Sequence, residues 1–128
     1  MLDSSFRNYQ NRQTSQCSSG YCCDSKGQSY ATPDWKGPGS YRIGGQAGTK
    51  LIEKGTGVFG SCGTSWGGWL DGGHPTPEEG EVSRTVYFDS GSNDKNNPTN
   101  IKVINCISKY FVYYLPNVPG CWRGYCTK

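Results

Sequence analysis

The sequence predicts a mostly-β domain: a small, disulfide-stapled, β-sandwich-like body with long glycine-rich loops. Three observations carry this. Seven cysteines stand in 128 residues of which only 33% are hydrophobic, so covalent staples must supplement a thin core. Nineteen glycines and nine tyrosines, with few alanines and leucines, favour short strands and tight turns over helix. Residues 68–88, GWLDGGHPTPEEGEVSRTVYF, read as strand, turn, strand.

In chain order, residues 1–20 are polar and read as an extended N-terminal arm pinned at Cys17, ahead of a single domain over 21–128. Residues 21–39 hold the vicinal pair Cys22-Cys23 and several Gly and Pro, and read as loop. Ser40–Ile43 and Thr49–Glu53 read as a hairpin with a long connection. The glycine-dense stretch 54–68 carries Val58, Phe59 and Trp66, and suggests backbone packed closely under rings or a flexible face. Trp69-Leu70 ends an apolar run, Asp71-Gly72-Gly73 turns the chain, and Pro75 and Pro77 stiffen the loop over 71–80. From Glu81 to Phe88 the pattern alternates, with Val82, Val86 and Phe88 on one side. Residues 89–100, DSGSNDKNNPTN, are turn formers throughout and read as an exposed loop. Ile101–Cys106 and Tyr110–Leu115 read as an antiparallel pair, and the unbroken aromatic run of the second suggests contacts on both faces. Pro116, Pro119 and Gly120 end it, and CWRGYC closes the domain.

Several function classes are disfavoured at this level. The net charge of +3 comes from scattered residues, so no nucleic-acid or membrane patch is formed. No run is long and apolar enough to insert in a bilayer. Met1 leads straight into polar sequence, as in a mature secreted chain carrying an added start methionine. One histidine and no C-x-x-C pair argue against zinc. His74 with Glu78 and Glu79 reads as a proline-stiffened turn with solvated charges rather than an acid/base cluster. With no serine elbow and no third partner, the expectation is no enzyme. Asp71 and the two glutamates lie on a loop without a cleft. Asp89–Asp94 has oxygen side chains at alternate positions, as calcium loops do, but lacks the closing glutamate; the expectation is no cofactor, with calcium as the one alternative.

The aromatic content raises a lectin reading. Flat rings stack on the C–H-rich face of sugars, and nearby polar groups hydrogen-bond the hydroxyls. Trp69 is expected in the core, while at least one of Trp66 and Trp122 is expected at the surface. The candidate ligand-binding set is Trp66, Asp71, His74, Trp122 and Arg123.

GSYRIGGQAGTK (39–50), CGTSWGGWLDGGHPTPEEGEVSRTVYF (62–88), NIKVINCISKYFVYYLPNVPGCWRGYC (100–126) and the opening GYCCD (20–24) together resemble the uromodulin-type eight-cysteine domain. The resemblance implies an extracellular, β-rich, disulfide-stapled fold. Four cysteine positions of the family's ten-cysteine form are missing here, which removes two whole bridges. The resemblance implies that those remaining pair as Cys17–Cys106, Cys23–Cys121 and Cys62–Cys126. Cys22 is left over, and is expected outside the intrachain framework, capped or linking a homodimer. N-glycans that act as decoys in the family have no acceptor here, since Asn97-Pro98-Thr99 carries proline in the middle of the motif. The whole reads as a secreted, non-catalytic recognition module whose partners are glycans or extracellular glycoproteins. The alternative is a structural building block that multimerises and has no sugar ligand.

Overall fold

A computed structural model describes residues 1–9, 22–27 and 31–128. Six strands form one sheet: β1 (Gly39–Tyr41), β2 (Trp66–Asp71), β3 (Val82–Asp89), β4 (Asn96–Cys106), β5 (Tyr110–Leu115) and β6 (Arg123–Tyr125). Their order is β1-β5-β4-β3-β2-β6. Every neighbouring pair is antiparallel except β2 with β6, which run parallel. The described residues also include 3-10 turns at Ser5–Arg7, Gly45–Ala47 and Pro77–Glu79. The fold is mostly β, as the composition requires.

The inner face of the sheet carries the core. Leu70, Val86, Phe88, Ile101, Val103, Tyr113, Leu115 and Tyr125 are buried there against Leu2, Trp35, Ile43, Ala47 and Leu51. Trp35 stacks on Tyr41 with ring centroids 4.7 Å apart and donates its indole N–H to Asn117. Gly68 lets β2 approach the core closely: a Cβ there would stand 2.9 Å from the Phe88 ring. Gly63, with φ +74, turns in the left-handed region directly under the Phe6 ring.

The hairpin expected over 40–53 does not form. β1 instead pairs with β5, Gly39 opposite Leu115 and Tyr41 opposite Tyr113, while Leu51 bridges Thr127. Period-two patterning marks a strand but not its partner, and here the longer β5 supplies a core-facing aromatic beside Tyr41. The expected exposed loop over 89–100 is also corrected, because β4 starts at Asn96. Phe88 pairs with Asn96 and Val86 with Thr99, so β4 carries one extra residue opposite Tyr87. Pro98 sits in that bulge, where its missing N–H costs no ladder bond. The β5 aromatic run is not covered on both faces. Tyr113 and Leu115 point inward, while Tyr114 on the outer face is 54% exposed.

Of the stretch expected as an N-terminal arm, residues 1–9 are described, and they pack into the body. Leu2 and Phe6 are buried, and Arg7 is 1% exposed. Arg7 donates to Asp24 through Nη1 (2.8 Å) and Nη2 (2.6 Å), and to Asp34 through Nε (2.9 Å) and Nη2 (2.6 Å). It also donates to the Tyr125 carbonyl of β6. Backbone N–H groups supply the remaining donors: Tyr125 to Asp24, and Asp3 and Ser4 to Asp34. Burial opposes the guanidinium charge, but the two carboxylates outweigh it and raise the Arg7 pKa. Arg7 in turn holds Asp34 below its ordinary value against the same burial.

The structure joins Cys23 to Cys121 and Cys62 to Cys126. Among the described residues the free thiol is Cys106, not Cys22. Alternation from buried Ile101 and Val103 places Cys106 on the opposite, outer face of β4, across from Tyr110, and the expected Cys17–Cys106 bridge is not made. Cys17 itself lies outside the described residues. Cys22 is buried beside Phe6 and is disulfide-bonded. The alternation argument fails at Cys22 because the segment is not a strand: Cys22 and Cys23 both turn inward.

Alkylating the native protein without reductant should label Cys106 and leave Cys22 untouched, as read by peptide mapping; a labelled Cys22 contradicts the arrangement. Arg7→Met should cost about 3–5 kcal/mol in urea denaturation, because it strands two buried carboxylates. A loss under about 1 kcal/mol would show that the cluster is not anchoring the fold.

Candidate functional site

At one edge of the sheet, β2 and β6 run side by side with Trp66 opposite Arg123. The residue before β6, Trp122, has φ +68, a left-handed conformation that a bulky side chain avoids at a cost of about 1–3 kcal/mol. Its neighbours hold it there. Cys121 is tied to Cys23, the Trp122 carbonyl accepts from the Trp66 N–H at 3.0 Å, and the Arg123 carbonyl accepts from the Asp24 N–H at 3.1 Å. This geometry leaves the Trp122 side chain 49% exposed.

Arg123 lies over the Trp66 ring, its guanidinium carbon 4.7 Å from the centroid. Three neutral acceptors fix it: Asn97 Oδ1 at 2.9 Å from Nε, and the Pro119 and Cys121 carbonyls at 2.7 and 3.1 Å from Nη1. Asn97 reaches it from the β4 bulge, with φ +51. Burial lowers the Arg123 pKa. Phe59, Ser65, Trp66, Trp122 and Arg123 together line an open cavity of about 260 Å³. Phe59 and Ser65 come from the glycine-dense stretch. Nothing in the local pattern distinguishes Phe59 as a site residue, because only the turn beside Trp66 brings it in.

The other two candidates from the sequence lie elsewhere. Trp66 starts β2 and Asp71 ends it, and at 3.3 Å per residue they are about 16 Å apart. Asp71 is a half-exposed partner of Lys95 at 3.9 Å. His74 follows in the turn beyond, its side chain 6% exposed. It does not cluster with Glu78 and Glu79. Glu79 closes a capping box with Thr76 and lies 3.9 Å from Arg84.

His74 instead meets Glu53 and Tyr113. Its Nδ1 is 3.0 Å from Glu53 Oε2 and its Nε2 is 2.6 Å from the Tyr113 hydroxyl. That hydroxyl also accepts from the Leu51 N–H. The pattern selects the neutral Nδ1–H tautomer: His74 donates to Glu53, and Tyr113 donates to His74. Burial lowers the His74 pKa, outweighing Glu53, and the Phe111 ring lies 4.4 Å away. Burial would raise Glu53, but its hydrogen bonds with His74, the charge His74 takes on at low pH and the charge of Lys50 hold it at about 2. Carboxylate, imidazole and hydroxyl are in line, yet the Tyr113 hydroxyl lies in the core with its pKa raised by burial, closed to any substrate. The group works as a lock between the 71–80 loop, residues 51–53 and β5.

The acidic loop after β3 is likewise self-contained. Asp89 is fully buried, and its carboxylate accepts N–H bonds from Gly57, Gly91, Ser92 and Asp94. Asp94 is capped by Ser90. Among the described residues no group of three His, Cys, Asp or Glu is placed to hold a metal.

The family model described as a "Uromodulin-like" domain matches residues 41–127, which span strands β2–β6 and the cavity between β2 and β6. The chain therefore belongs to the uromodulin-like domain family. It is 35% identical over 108 residues to uromodulin of Rattus norvegicus, covering 84% of this chain and 15% of that protein. It is likewise 35% identical over 89 residues to the pancreatic secretory granule membrane major glycoprotein GP2 of Canis lupus familiaris, covering 70% of this chain and 17% of that protein. The chain thus corresponds to about one sixth of the length of these relatives. Among the described residues no helix is long and apolar enough to cross a membrane.

The His74 lock has a pH signature. A histidine whose folded pKa lies below its ordinary 6.5 contributes stability above that value, and the contribution drains away as pH falls below it. Glu53, held at about 2 against an ordinary 4.5, adds a second loss between those values. The melting temperature should therefore fall from pH 7 to pH 5, and more steeply below 4.5. His74→Gln should flatten the upper part of that slope. An unchanged slope in the variant would place the titration elsewhere.

Proposed function

We propose that this chain is an extracellular, non-catalytic recognition module that binds glycans in the cavity formed by Trp66, Trp122 and Arg123, with Phe59 at its rim. The observation that carries the reading is Trp122. The fold holds a large ring half in water, in a backbone conformation that a glycine would take more easily, beside a second tryptophan and a fixed guanidinium. An exposed ring next to directed donors suits a sugar, whose C–H face stacks while its hydroxyls take hydrogen bonds. The cavity of about 260 Å³ lies below the usual range for drug-sized ligands, in keeping with a single ring.

A second cavity, of about 200 Å³ beside Tyr9, supports this less well, because its Glu53 is already engaged by His74, Lys50 and Lys128. The disulfides suit an oxidising, extracellular setting. A role without catalysis fits a molecule whose carboxylate–imidazole–hydroxyl arrangement ends on a buried tyrosine. The proposed partners are glycans, free or on glycoproteins.

A glycan array tests the reading, with Trp122→Gly as the control. Wild type should bind saturably. The variant should lose binding while keeping its stability within about 1 kcal/mol, since glycine relieves the left-handed strain. An array with no saturable signal, or binding indifferent to Trp122, would overturn it and leave the structural building block.

A further inference from the structure

Many charges among the described residues face an opposite charge. Asp24 and Asp34 neutralise Arg7, Glu53 faces His74, Lys50 and Lys128, and Glu79, Asp71 and Glu81 pair with Arg84, Lys95 and Lys102. Arg123 has no such counter-charge: among the described residues no carboxylate lies within ion-pair distance of it. The acceptors that hold it are an amide oxygen and two backbone carbonyls, all neutral, and they engage Nε and Nη1 rather than Nη2. Burial lowers its pKa and no acidic neighbour opposes the shift. The guanidinium is thus oriented in advance, partly dried by Trp66, and short of an anion.

Resting on the glycan reading above, we infer that the ligand of the Trp66–Trp122–Arg123 cavity is an acidic saccharide, a pyranose bearing a carboxylate. The carboxylate meets Arg123, and the apolar face of the ring lies on Trp122. A neutral sugar would leave the charge unmatched; a bare anion would make no use of the exposed indole face. Trp122 and Arg123 line the same cavity, so one hexose-sized ring can reach both.

The inference is separable from the reading on which it rests. The Trp66 and Trp122 indole resonances of the isotope-labelled protein are followed while methyl glucuronide, its carboxamide, methyl glucoside and acetate are titrated separately. The glucuronide should bind about tenfold more tightly than the glucoside or the carboxamide, a difference of about 1.4 kcal/mol, and should weaken as salt rises. Arg123→Gln should bind both sugars equally. Should that variant misfold, the comparison of glucuronide with carboxamide on wild type still decides. Equal affinity for acid, amide and neutral sugar overturns the inference and leaves the glycan reading intact. Acetate binding as tightly as the glucuronide overturns it in favour of a plain anion site. No response to any of the sugars overturns the inference, and the glycan array then decides the reading on which it rests.

Discussion

One guanidinium holds the molecule together. Arg7 reaches from a polar N-terminal segment into the centre and joins its own turn to Asp24, Asp34 and β6. A single positive charge between two buried carboxylates is tolerable only because Tyr125, Asp3 and Ser4 add backbone N–H donors. Everything at the β2–β6 edge inherits its position from this. Asp24 takes the Tyr125 N–H and gives its own N–H to the Arg123 carbonyl, so the cluster fixes both ends of β6. Cys23–Cys121 fastens the residue just before Trp122 to the same segment. The posture of Trp122 is set by a salt-bridged cluster in the core.

What was legible in the sequence was local or carried by cysteine. The β4–β5 pair could be read from two apolar runs four residues apart, and β2–β3 from its proline-stiffened turn. Partner choice was not legible. Ser40–Ile43 and Thr49–Glu53 have equally good strand patterns, and only the three-dimensional offer of β5 decides against pairing them. Arg7 was invisible for a different reason. A buried arginine in a stretch of Ser, Gln and Asn has no apolar periodicity to announce it, and its carboxylates stand 17 and 27 residues away.

The candidate site divides in the same way. Trp122 and Arg123 could be read as an exposed ring beside a donor, because glycine and a disulfide crowd that turn. Asp71 and His74 joined them by nearness in sequence to Trp66, but an extended strand carries neighbours apart rather than together. The sequence sets His74 beside Glu78 and Glu79 on its own loop, whereas its partner is Glu53, 21 residues back. Charge clusters in a β protein form across strands, so spacing along the chain gives little warning of them.

The parallel pairing of β6 with β2 has a consequence for how the protein comes to exist in a cell. Residue 7 contacts residue 125 at a separation of 118, and Asn8 bridges Thr127. Cys23 and Cys62 wait for partners 98 and 64 residues downstream. During synthesis residues 2–7 can meet Asp34, Arg42 and Gly44 early, but their contacts with residues 125–127, and the partners of Cys23 and Cys62, come only once residues 121–127 have been made. The β2–β5 pairs can form from local turns, but completing the fold depends on long loop closures, which slow it. Until then Cys23 and Cys62 stay unpaired and β2 lacks its β6 neighbour. The protein's yield accordingly depends on thiol exchange during that interval as much as on its final stability.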